Sequence, residues 1–440
     1  MFWLSKFIHR FRRFRRRTLL LLAALGPGII TMVADNDAGG ISTYAVTGSK
    51  YGFNLLWVFF ILIPMAYCVQ EMTVRLGAVT KRGHAEAIFD AFGPFWGWFS
   101  IFDLFVINWL TLVTEYIGMT EAMSIFGVPR WLTYLAVTAV LIGVVMSGRY
   151  WTFEKITLFF CLFNLVYIPA ALWAMKTGNV AGGWGKVFQG FYRPEFPGGL
   201  TTDLLFIVMA NIGTTITPWQ IFFQQSAVVD KGLDVRDIKL GKIDTFAGSL
   251  LTGLVAIFII IATGAAFFHH HPPVTVEDAK QTANALAPLL PAGKGQWARA
   301  LFAVGLFDAG FLGALCISLA TSWAVGEVFG WAHTLNRSVR DAPWFYGVYF
   351  VTLATAGAVV LIPRAPLITI TMFVQVVAVT LLPAALVFLI LLLNDKPLMG
   401  RHVSTRWQNV ANWSITIFVV IMSTLFGLAV LFPGILRMGR

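Results

Sequence analysis

The feature that most constrains this chain is an interruption at residues 35–40 (DNDAGG), inside an apolar segment that runs from about residue 19 to residue 46. A charged residue at the centre of a bilayer costs at least roughly 2.5–3.5 kcal/mol, and each glycine costs a helix about 1 kcal/mol. We therefore expect the helix to break here, with its freed backbone groups facing protein or water. A broken helix with an acid at membrane depth is typical of a cation site in a transporter. The alternative is a kinked helix whose Asp35 and Asp37 pair with buried lysine or arginine, of which the apolar segments contain almost none.

The composition excludes an ordinary soluble domain. Of the 440 residues, 58% are hydrophobic and only 12% are charged, and the mean hydropathy is +0.76. Soluble domains are about half apolar and about 25% charged. Because apolar runs of about 18 residues or more indicate transmembrane helices, we predict an all-α integral membrane protein. Its eleven predicted spans are residues 19–46, 52–73, 96–125, 131–149, 153–175, 200–229, 244–267, 297–330, 343–362, 366–393 and 409–435.

The basic residues flank these spans, so the net charge of +11 does not indicate a nucleic-acid-binding protein. With a cytoplasmic N-terminus, roughly two thirds of the 32 lysines and arginines are also cytoplasmic, as the positive-inside rule requires. Residues 1–18 are rich in arginine with interleaved phenylalanines, which is typical of a segment lying on anionic lipid; RNA binding is the alternative reading. We expect a multi-pass monomer of the plasma (inner) membrane, with membrane lipids and a small substrate as partners and no nucleic acid.

A second interruption lies five spans after the first, at residues 211–220 (NIGTTITPWQ). Pro218 removes a backbone hydrogen bond from the helix interior and clashes with the preceding turn, and Gly213 and three threonines precede it. Two broken segments at matching places in two halves are the best sequence indication of an inverted repeat with its binding site between the repeats. An odd number of spans in each half gives the two halves opposite orientations in the membrane.

Further polar residues lie inside or beside the predicted spans. Glu115 in the third span is either functional, as acids within membranes usually are, or only hydrogen-bonds between helices. Asp308 in the eighth span is another acid without a sequence partner, and Gln375 in the tenth either belongs to a site or only joins helices. The histidine triplet at 269–271 is either solvated or collects a metal ion.

Residues 25–28 (LGPG), 37–40 (DAGG) and 51–58 (YGFNLLWV) resemble the opening of the NRAMP family of divalent-metal transporters, whose first-span motif reads D-P-G-N. Residues 75–86 look like the end of its second span, and residues 213–220 (GTTITPWQ) look like its sixth-span motif, G-A-T-V-M-P-H-N.

The tenth span also fits this family, through Gln375 and Pro383. The resemblance implies a LeuT-type fold with two inverted five-helix repeats, at about residues 19–175 and 200–393. An eleventh transmembrane helix at about 409–435 completes a transporter domain that runs from about residue 19 to residue 435. Helices 1 and 6 are expected to be broken at mid-membrane.

The chain departs from the family at residues associated with soft metals and with protons. The family's first-span Asp is kept as Asp37, and Glu115 matches its third-span Glu. The differing positions are Ala38 for the motif's Pro, Gly40 for its Asn, Thr217 for the sixth-span Met, Trp219 and Gln224 for two histidines, and Leu112 for a third-span Asp. This pattern resembles the NRAMP-related magnesium transporter branch.

The resemblance also implies which residues meet the ion. The implied ligands are the Asp37 carboxylate, the backbone carbonyls of Ala34 and Thr214, the Gln375 amide, and the family's Asn and Met positions, here Gly40 and Thr217. The residues expected around the ion or along its access path are Asp35, Asn36, Gln220, Glu115 and Asp308. Carboxylate, carbonyl and water ligands suit Mg²⁺ and Mn²⁺, whereas thioethers favour softer ions. Because Mg²⁺ keeps several waters when proteins bind it, the small residues Gly40 and Thr217 leave room for a hydrated ion.

These observations predict a secondary transporter that imports Mg²⁺, and also Mn²⁺, by alternating access. Histidine is the side chain that titrates near neutral pH, so the loss of both family histidines argues against proton coupling. One alternative is a proton-coupled Mn²⁺/Fe²⁺ importer, and another is a sodium-coupled symporter for an organic substrate on the same fold. The sequence has no G-x-S-x-G or H-E-x-x-H motif, so we expect neither an enzyme nor a cofactor beyond the transported ion.

Overall fold

The computed structural model of this chain describes residues 26–178, 180, 182–195, 199, 201–268, 295–363 and 366–432. The basic segment 1–18, the start of the first predicted span and the histidine triplet at 269–271 lie outside the described residues. In the described ranges the regular structure is helical throughout, as the composition predicts.

The first half of the chain carries helices α1 to α9. Their bounds are α1 Pro27–Ala34, α2 Ala38–Tyr51, α3 Trp57–Thr80, α4 His84–Phe92, α5 Pro94–Ile125, α6 Arg130–Val145, α7 Tyr150–Cys161, α8 Tyr167–Thr177 and α9 Gly183–Tyr192. A 3-10 turn at Phe163–Val166 separates α7 from α8.

The second half carries helices α10 to α17. Their bounds are α10 Thr202–Thr215, α11 Pro218–Asp230, α12 Ile238–Thr263, α13 Gly295–Phe329, α14 Pro343–Ala358, α15 Leu367–Asn394, α16 Lys396–Met399 and α17 Arg406–Leu431. A π-helical turn at Gly264–Phe268 prolongs α12.

Nine helical stretches among the described residues have the length and hydropathy needed to cross a membrane, counting α7 with α8 and α10 with α11 as continuous stretches. Two predicted spans are not among the nine. The span at 131–149 appears as α6, an apolar helix of 16 residues, and the span at 19–46 appears as the two short helices α1 and α2. The chain is therefore a multi-pass helical membrane protein, and the count of eleven spans stays a prediction.

Both predicted interruptions are present, and local chemistry explains each. Between α1 and α2 the chain turns at residues 35–37, and Asp37, in an extended conformation, caps the N-terminus of α2. Between α10 and α11, Ile216 and Thr217 are extended. Pro218 then occupies the first turn of α11, where a missing N–H costs nothing.

The broken helices lie in the interior of the molecule. Most residues of α1, α2, α10 and α11 are buried, whereas α14 and α17 expose large apolar side chains such as Trp344, Ile417 and Leu425. Glycine allows the closest approach between α10 and α15, because a Cβ on Gly213 would lie 1.9 Å from the Gln375 carbonyl oxygen. The interior helices thus bring both interruptions together, and the outer helices face lipid.

Candidate metal centre

The two interruptions face each other at the centre of the fold. A Cβ on Gly40, in the first turn of α2, would lie 2.8 Å from the Thr214 hydroxyl near the end of α10 and 3.1 Å from the Asp35 carbonyl oxygen. On the preceding residue, Gly39, a Cβ would lie 2.0 Å from the Gln375 amide nitrogen in α15. The paired glycines therefore let three helices meet at the first break.

Asp37 supplies a carboxylate oxygen to this meeting point. Its Oδ1 accepts a hydrogen bond from the Gly40 backbone N–H at 2.6 Å, which fixes the side chain against the N-terminus of α2. Its Oδ2 is buried and has no hydrogen-bond partner among the described residues. The positive end of a helix dipole favours a carboxylate at this position, so Asp37 is held with one oxygen free for a ligand.

Neutral oxygen and nitrogen atoms complete the polar lining of the breaks. The hydroxyls of Thr214 and Thr217 and both amide atoms of Gln375 are buried, and the described part of the chain offers them no hydrogen-bond partner. Buried polar groups are nearly always hydrogen-bonded in native proteins. Such a concentration of unsatisfied atoms at one place is therefore an indication of a binding site.

Two backbone carbonyls that the resemblance implies as ligands belong to residues at helix ends beside the breaks. Ala34 is the last residue of α1, and Thr214 is the last but one of α10. The last four carbonyl groups of a helix have no partner within the helix, and they carry its partial negative charge. The predicted carbonyl ligands thus lie at helix ends that attract cations.

Asp35 lies beside the break, opposite Gln220. Neither of its carboxylate oxygens has a partner at hydrogen-bond distance among the described residues, although its carboxylate interacts with the Gln220 side chain. Gln220 is itself fixed, because its Oε1 accepts hydrogen bonds at 3.2 Å from Gln70 Nε2 and from the Thr217 backbone N–H. Asp35 therefore faces the break as a second buried acid.

Glu115 of α5 reaches the first turn of α2. Its Oε2 accepts a hydrogen bond from the Ala38 backbone N–H at 3.0 Å, and its carboxylate lies close to the Asp37 side chain. A Cβ on Gly313 of α13 would lie 2.8 Å from Glu115 Oε2 and 3.1 Å from the Asp37 Cβ. Glu115 therefore hydrogen-bonds between α5 and α2 and also lies beside Asp37, so both readings of the sequence stay open.

Of the remaining predicted residues, Asn36 lies at the first break and Asp308 lies away from both breaks. The Asn36 amide donates to the Thr252 carbonyl of α12 at 3.3 Å, so it fastens the break to a neighbouring helix. Asp308 of α13 contacts Asn164 in the 3-10 turn between α7 and α8, 3.2 Å away. The structure thus brings Asn36, but not Asp308, to the two breaks.

None of the ion pairs found in the described ranges includes Asp35, Asp37 or Glu115. The alternative of a kinked helix with acids paired to lysine or arginine is therefore not supported. The described ranges also contain no group of three or more His, Cys, Asp or Glu side chains that could hold a metal ion. An ion at the breaks would meet mainly single carboxylates, neutral oxygens and water.

Helix α1 is held in place by α12. The Asp244 carboxylate of α12 accepts hydrogen bonds from the backbone N–H groups of Gly26, Gly28 and Ile29, at 3.1, 2.7 and 3.3 Å. At the other end of α1, the Thr252 hydroxyl donates to the Met32 carbonyl. An acid from a helix distant in the sequence therefore caps the N-terminus of α1, and α12 contacts α1 near both of its ends.

Sequence reasoning did not identify Gln70, Gly313 or Asp244. Gln70 is a buried amide inside the second span, and such a residue is a signal of the same kind as Gln375. Asp244 is an acid at the start of the predicted span 244–267, but its contact with α1 depends on which helices become neighbours. Gly313 gave no comparable signal.

Fold and site together define the class: a helical membrane protein in which two broken helices surround an acidic, oxygen-lined centre. The sequence profile described as "Natural resistance-associated macrophage protein-like" matches residues 28–429. The chain therefore belongs to the Nramp family, which confirms the family predicted from the first and sixth spans.

The curated relatives are named as metal transporters, not as enzymes. The chain is 27% identical over 420 residues to the "Divalent metal cation transporter MntH" of Xylella fastidiosa, covering 92% of this chain and 84% of that protein. It is 23% identical over 424 residues to the "Metal transporter Nramp3" of Oryza sativa subsp. japonica, covering 92% and 74%.

Solved structures share the fold. A crystal structure of the Eremococcus coleocola manganese transporter, in complex with an aromatic bis-isothiourea substituted compound, matches with a TM-score of 0.73 at 20% identity, covering 92% of this chain and 86% of that chain. MhsT in complex with L-phenylalanine matches with a TM-score of 0.60 at 14% identity, covering 91% and 98%. The predicted all-α, LeuT-type membrane fold is confirmed.

Proposed function

We propose that this chain is a divalent-metal transporter that imports Mg²⁺, and also Mn²⁺, by alternating access and without proton coupling. The divalent-metal part is supported by the named activities of the Nramp and MntH relatives. The choice of Mg²⁺ is supported by the side chains at the two breaks: Asp37, Thr214, Thr217 and Gln375 offer carboxylate, hydroxyl and amide atoms, and the residue at the family's sixth-span Met position is Thr217.

The chemistry of these atoms favours a hard ion. Carboxylate, carbonyl and water suit Mg²⁺ and Mn²⁺, whereas a thioether selects softer metals. Mg²⁺ is usually bound through one or two carboxylates while it keeps several waters. Asp37, with Asp35 nearby, fits that pattern, and the neutral groups of Thr214 and Gln375 can hydrogen-bond the retained waters.

The replacement of the family's two sixth-span histidines supports uncoupled transport. The positions of the family's two sixth-span histidines hold Trp219, which is fully buried, and Gln224, which donates to the Thr245 hydroxyl at 2.8 Å. Neither side chain titrates near neutral pH. An inside-negative potential drives a divalent ion inward with about 4.6 kcal/mol per 100 mV, twice the value for one charge, so import needs no proton gradient.

A second candidate is a proton-coupled Mn²⁺/Fe²⁺ importer. The contact between the carboxylates of Glu115 and Asp37 favours it, because two adjacent buried acids can share and release a proton. The two candidates differ in what crosses the membrane with the metal.

We further propose two inverted repeats, at about 19–175 and 200–393, followed by a further helix at about 409–435. The N-terminus would be cytoplasmic, in the plasma (inner) membrane, and the protein would act as a monomer. The proposed orientation follows from the distribution of lysine and arginine.

Uptake into proteoliposomes that contain both a Mg²⁺-sensitive and a pH-sensitive dye tests the function. We expect saturable Mg²⁺ uptake, competition by Mn²⁺, no acidification that follows the metal, and loss of uptake in Asp37→Ala. Asp90→Ala is the matched control, since Asp90 is exposed and pairs with Arg82. Uptake of Mn²⁺ that Mg²⁺ does not inhibit, with acidification of the lumen, would instead establish the proton-coupled importer.

A further inference from the structure

A second buried polar cluster lies away from the two breaks. Helices α7 and α8 are separated by the 3-10 turn Phe163–Val166, and Asn164 in this turn is 1% exposed. It faces Asp308 of α13, which is 2% exposed. The Asn164 amide nitrogen donates to Asp308 Oδ2 at 3.2 Å, so one half of an amide–carboxyl pair is in place.

The other half of this pair has no hydrogen bond. Asp308 Oδ1 and Asn164 Oδ1 are both buried, and neither finds a partner within the described ranges. If Asp308 were ionised, both atoms would be acceptors without a donor. A buried acceptor without a partner costs about 1–3 kcal/mol, and a buried charge without a partner costs more.

We propose that Asp308 and Asn164 form a proton-binding site that is separate from the metal centre. A proton from solvent binds Asp308 at Oδ1 and makes the carboxyl group neutral, and the resulting O–H group donates a hydrogen bond to Asn164 Oδ1. The existing bond from Asn164 Nδ2 to Asp308 Oδ2 then closes a cyclic acid–amide pair. One added proton satisfies both orphaned oxygens, and no other bond has to break.

The same geometry disfavours a metal cation. A cation needs several converging oxygens, whereas the Asn164 amide directs an N–H group at Asp308 Oδ2. An N–H donor beside a cation would be repelled by it. The site therefore matches a proton better than Na⁺ or Mg²⁺.

Among the described residues, the titratable groups near Asp308 carry no positive charge. Cys161 of α7 and Tyr167 of α8 are the titratable groups that face it from the interrupted span, and the Tyr167 ring lies against Gly305, one turn before Asp308. Glu115 of α5 contacts α13 farther along that helix, at Gly313. No lysine, arginine or histidine of the described chain forms an ion pair with Asp308.

A proton at this place joins two helical segments. While it is bound, α13 and the 3-10 turn are held by two hydrogen bonds in a neutral pair. Loss of the proton leaves the Asp308 carboxylate without a donor for Oδ1. We therefore expect the packing of α7 and α8 against α13 to loosen. This proton site is independent of which metal is transported and of whether Asp37 takes part in proton transport.

Infrared spectroscopy of the full chain in lipid nanodiscs, with ¹³C-labelled aspartate, tests the site without metal or transport. At neutral pH we expect a carboxylic-acid C=O band from aspartate that shifts in D₂O and is lost in Asp308→Asn. That substitution keeps the side-chain shape and gives an amide–amide pair with the same two hydrogen bonds. Asp341→Asn, at an exposed position, is the matched control and should leave the band unchanged.

If Asp308→Asn removes an aspartate carboxylate band and leaves the carboxylic-acid C=O band unchanged, Asp308 is ionised in the wild type and the proposal is overturned. A carboxylate band that responds to Na⁺ would also overturn it, in favour of a cation site. If Asp308→Asn does not fold, Asn164→Leu carries the test. This variant removes the donor to Oδ2, so the acid band should move to higher frequency, and an unmoved band would refute the acid–amide pair.

Discussion

Replacing Asp37 by asparagine removes one charge from the metal centre and little else. The asparagine side chain has the same shape, and its amide oxygen can still accept the hydrogen bond that Asp37 Oδ1 receives from Gly40, 2.6 Å away. The cap of α2 is therefore expected to survive. The change acts on the free oxygen, Oδ2, which is the atom available to the ion.

The size of the effect follows from Coulomb's law. A unit charge and a dication about 4 Å apart, as through one retained water, interact with about 8 kcal/mol at an effective dielectric constant of about 20. The dehydration of ion and carboxylate offsets most of this energy. Even a quarter of it, about 2 kcal/mol, weakens binding about 30-fold, since 1.4 kcal/mol corresponds to a factor of ten.

The assay is the concentration dependence of Mg²⁺ uptake in proteoliposomes. We expect Asp37→Asn to need much higher Mg²⁺ for half-maximal uptake, while its thermal unfolding stays close to that of the wild type. Asp90→Asn, which also removes one negative charge, should behave as the wild type in both measurements. An unchanged half-maximal concentration in Asp37→Asn would refute the assignment of Asp37 as the main charge at the site.

Three further predictions concern selectivity and stability. Thr217→Met places a thioether at the second break, so Cd²⁺ should compete more strongly against Mg²⁺ uptake than it does in the wild type; unchanged competition would show that residue 217 does not face the ion. Asp244→Ala removes the acceptor for the N-terminus of α1, and the loss of such a cap costs about 0.5–2 kcal/mol; faster hydrogen exchange at Gly28, without unfolding elsewhere, is the expected signature. Burial lowers the pKa of His84 from 6.5 to about 4, so the folded protein binds fewer protons than the unfolded chain and loses stability as the pH falls from about 6.5 to 4. Thermal unfolding of His84→Gln should depend less on pH across that window, and an unchanged dependence would assign the loss to other groups.

The breaks at Asp37 and Thr217 were predictable because their cause is local. Two acids and two glycines, or a proline after three threonines, disfavour a continuous helix wherever the segment lies in the fold. The pairing of the two breaks followed from their spacing along the chain. The polar residues at each break were therefore within reach of sequence reasoning.

The interruption at Phe163–Val166 was not predicted, because no glycine or proline lies within it and its Asn164 is a single polar residue in a phenylalanine-rich span. The contact of Glu115 with the Ala38 N–H was not predictable either. It joins residues 77 positions apart and depends on how α5 packs against α2. Long-range contacts of this kind decide which acids share a site, and a single sequence does not encode them in any local pattern.

Helix α1 has only eight residues, about 12 Å of helix, which is too short to be stable by itself in water. It is fastened to α12 at its beginning by Asp244 and near its end by Thr252. Because α12 contacts α1 near both of its ends, we expect a tilt of α12 to move the Ala34 carbonyl as well. The access of an ion to this carbonyl is then governed by a helix that contributes none of the predicted ligands, and substitutions in α12 should alter transport kinetics while leaving the ion's own contacts intact.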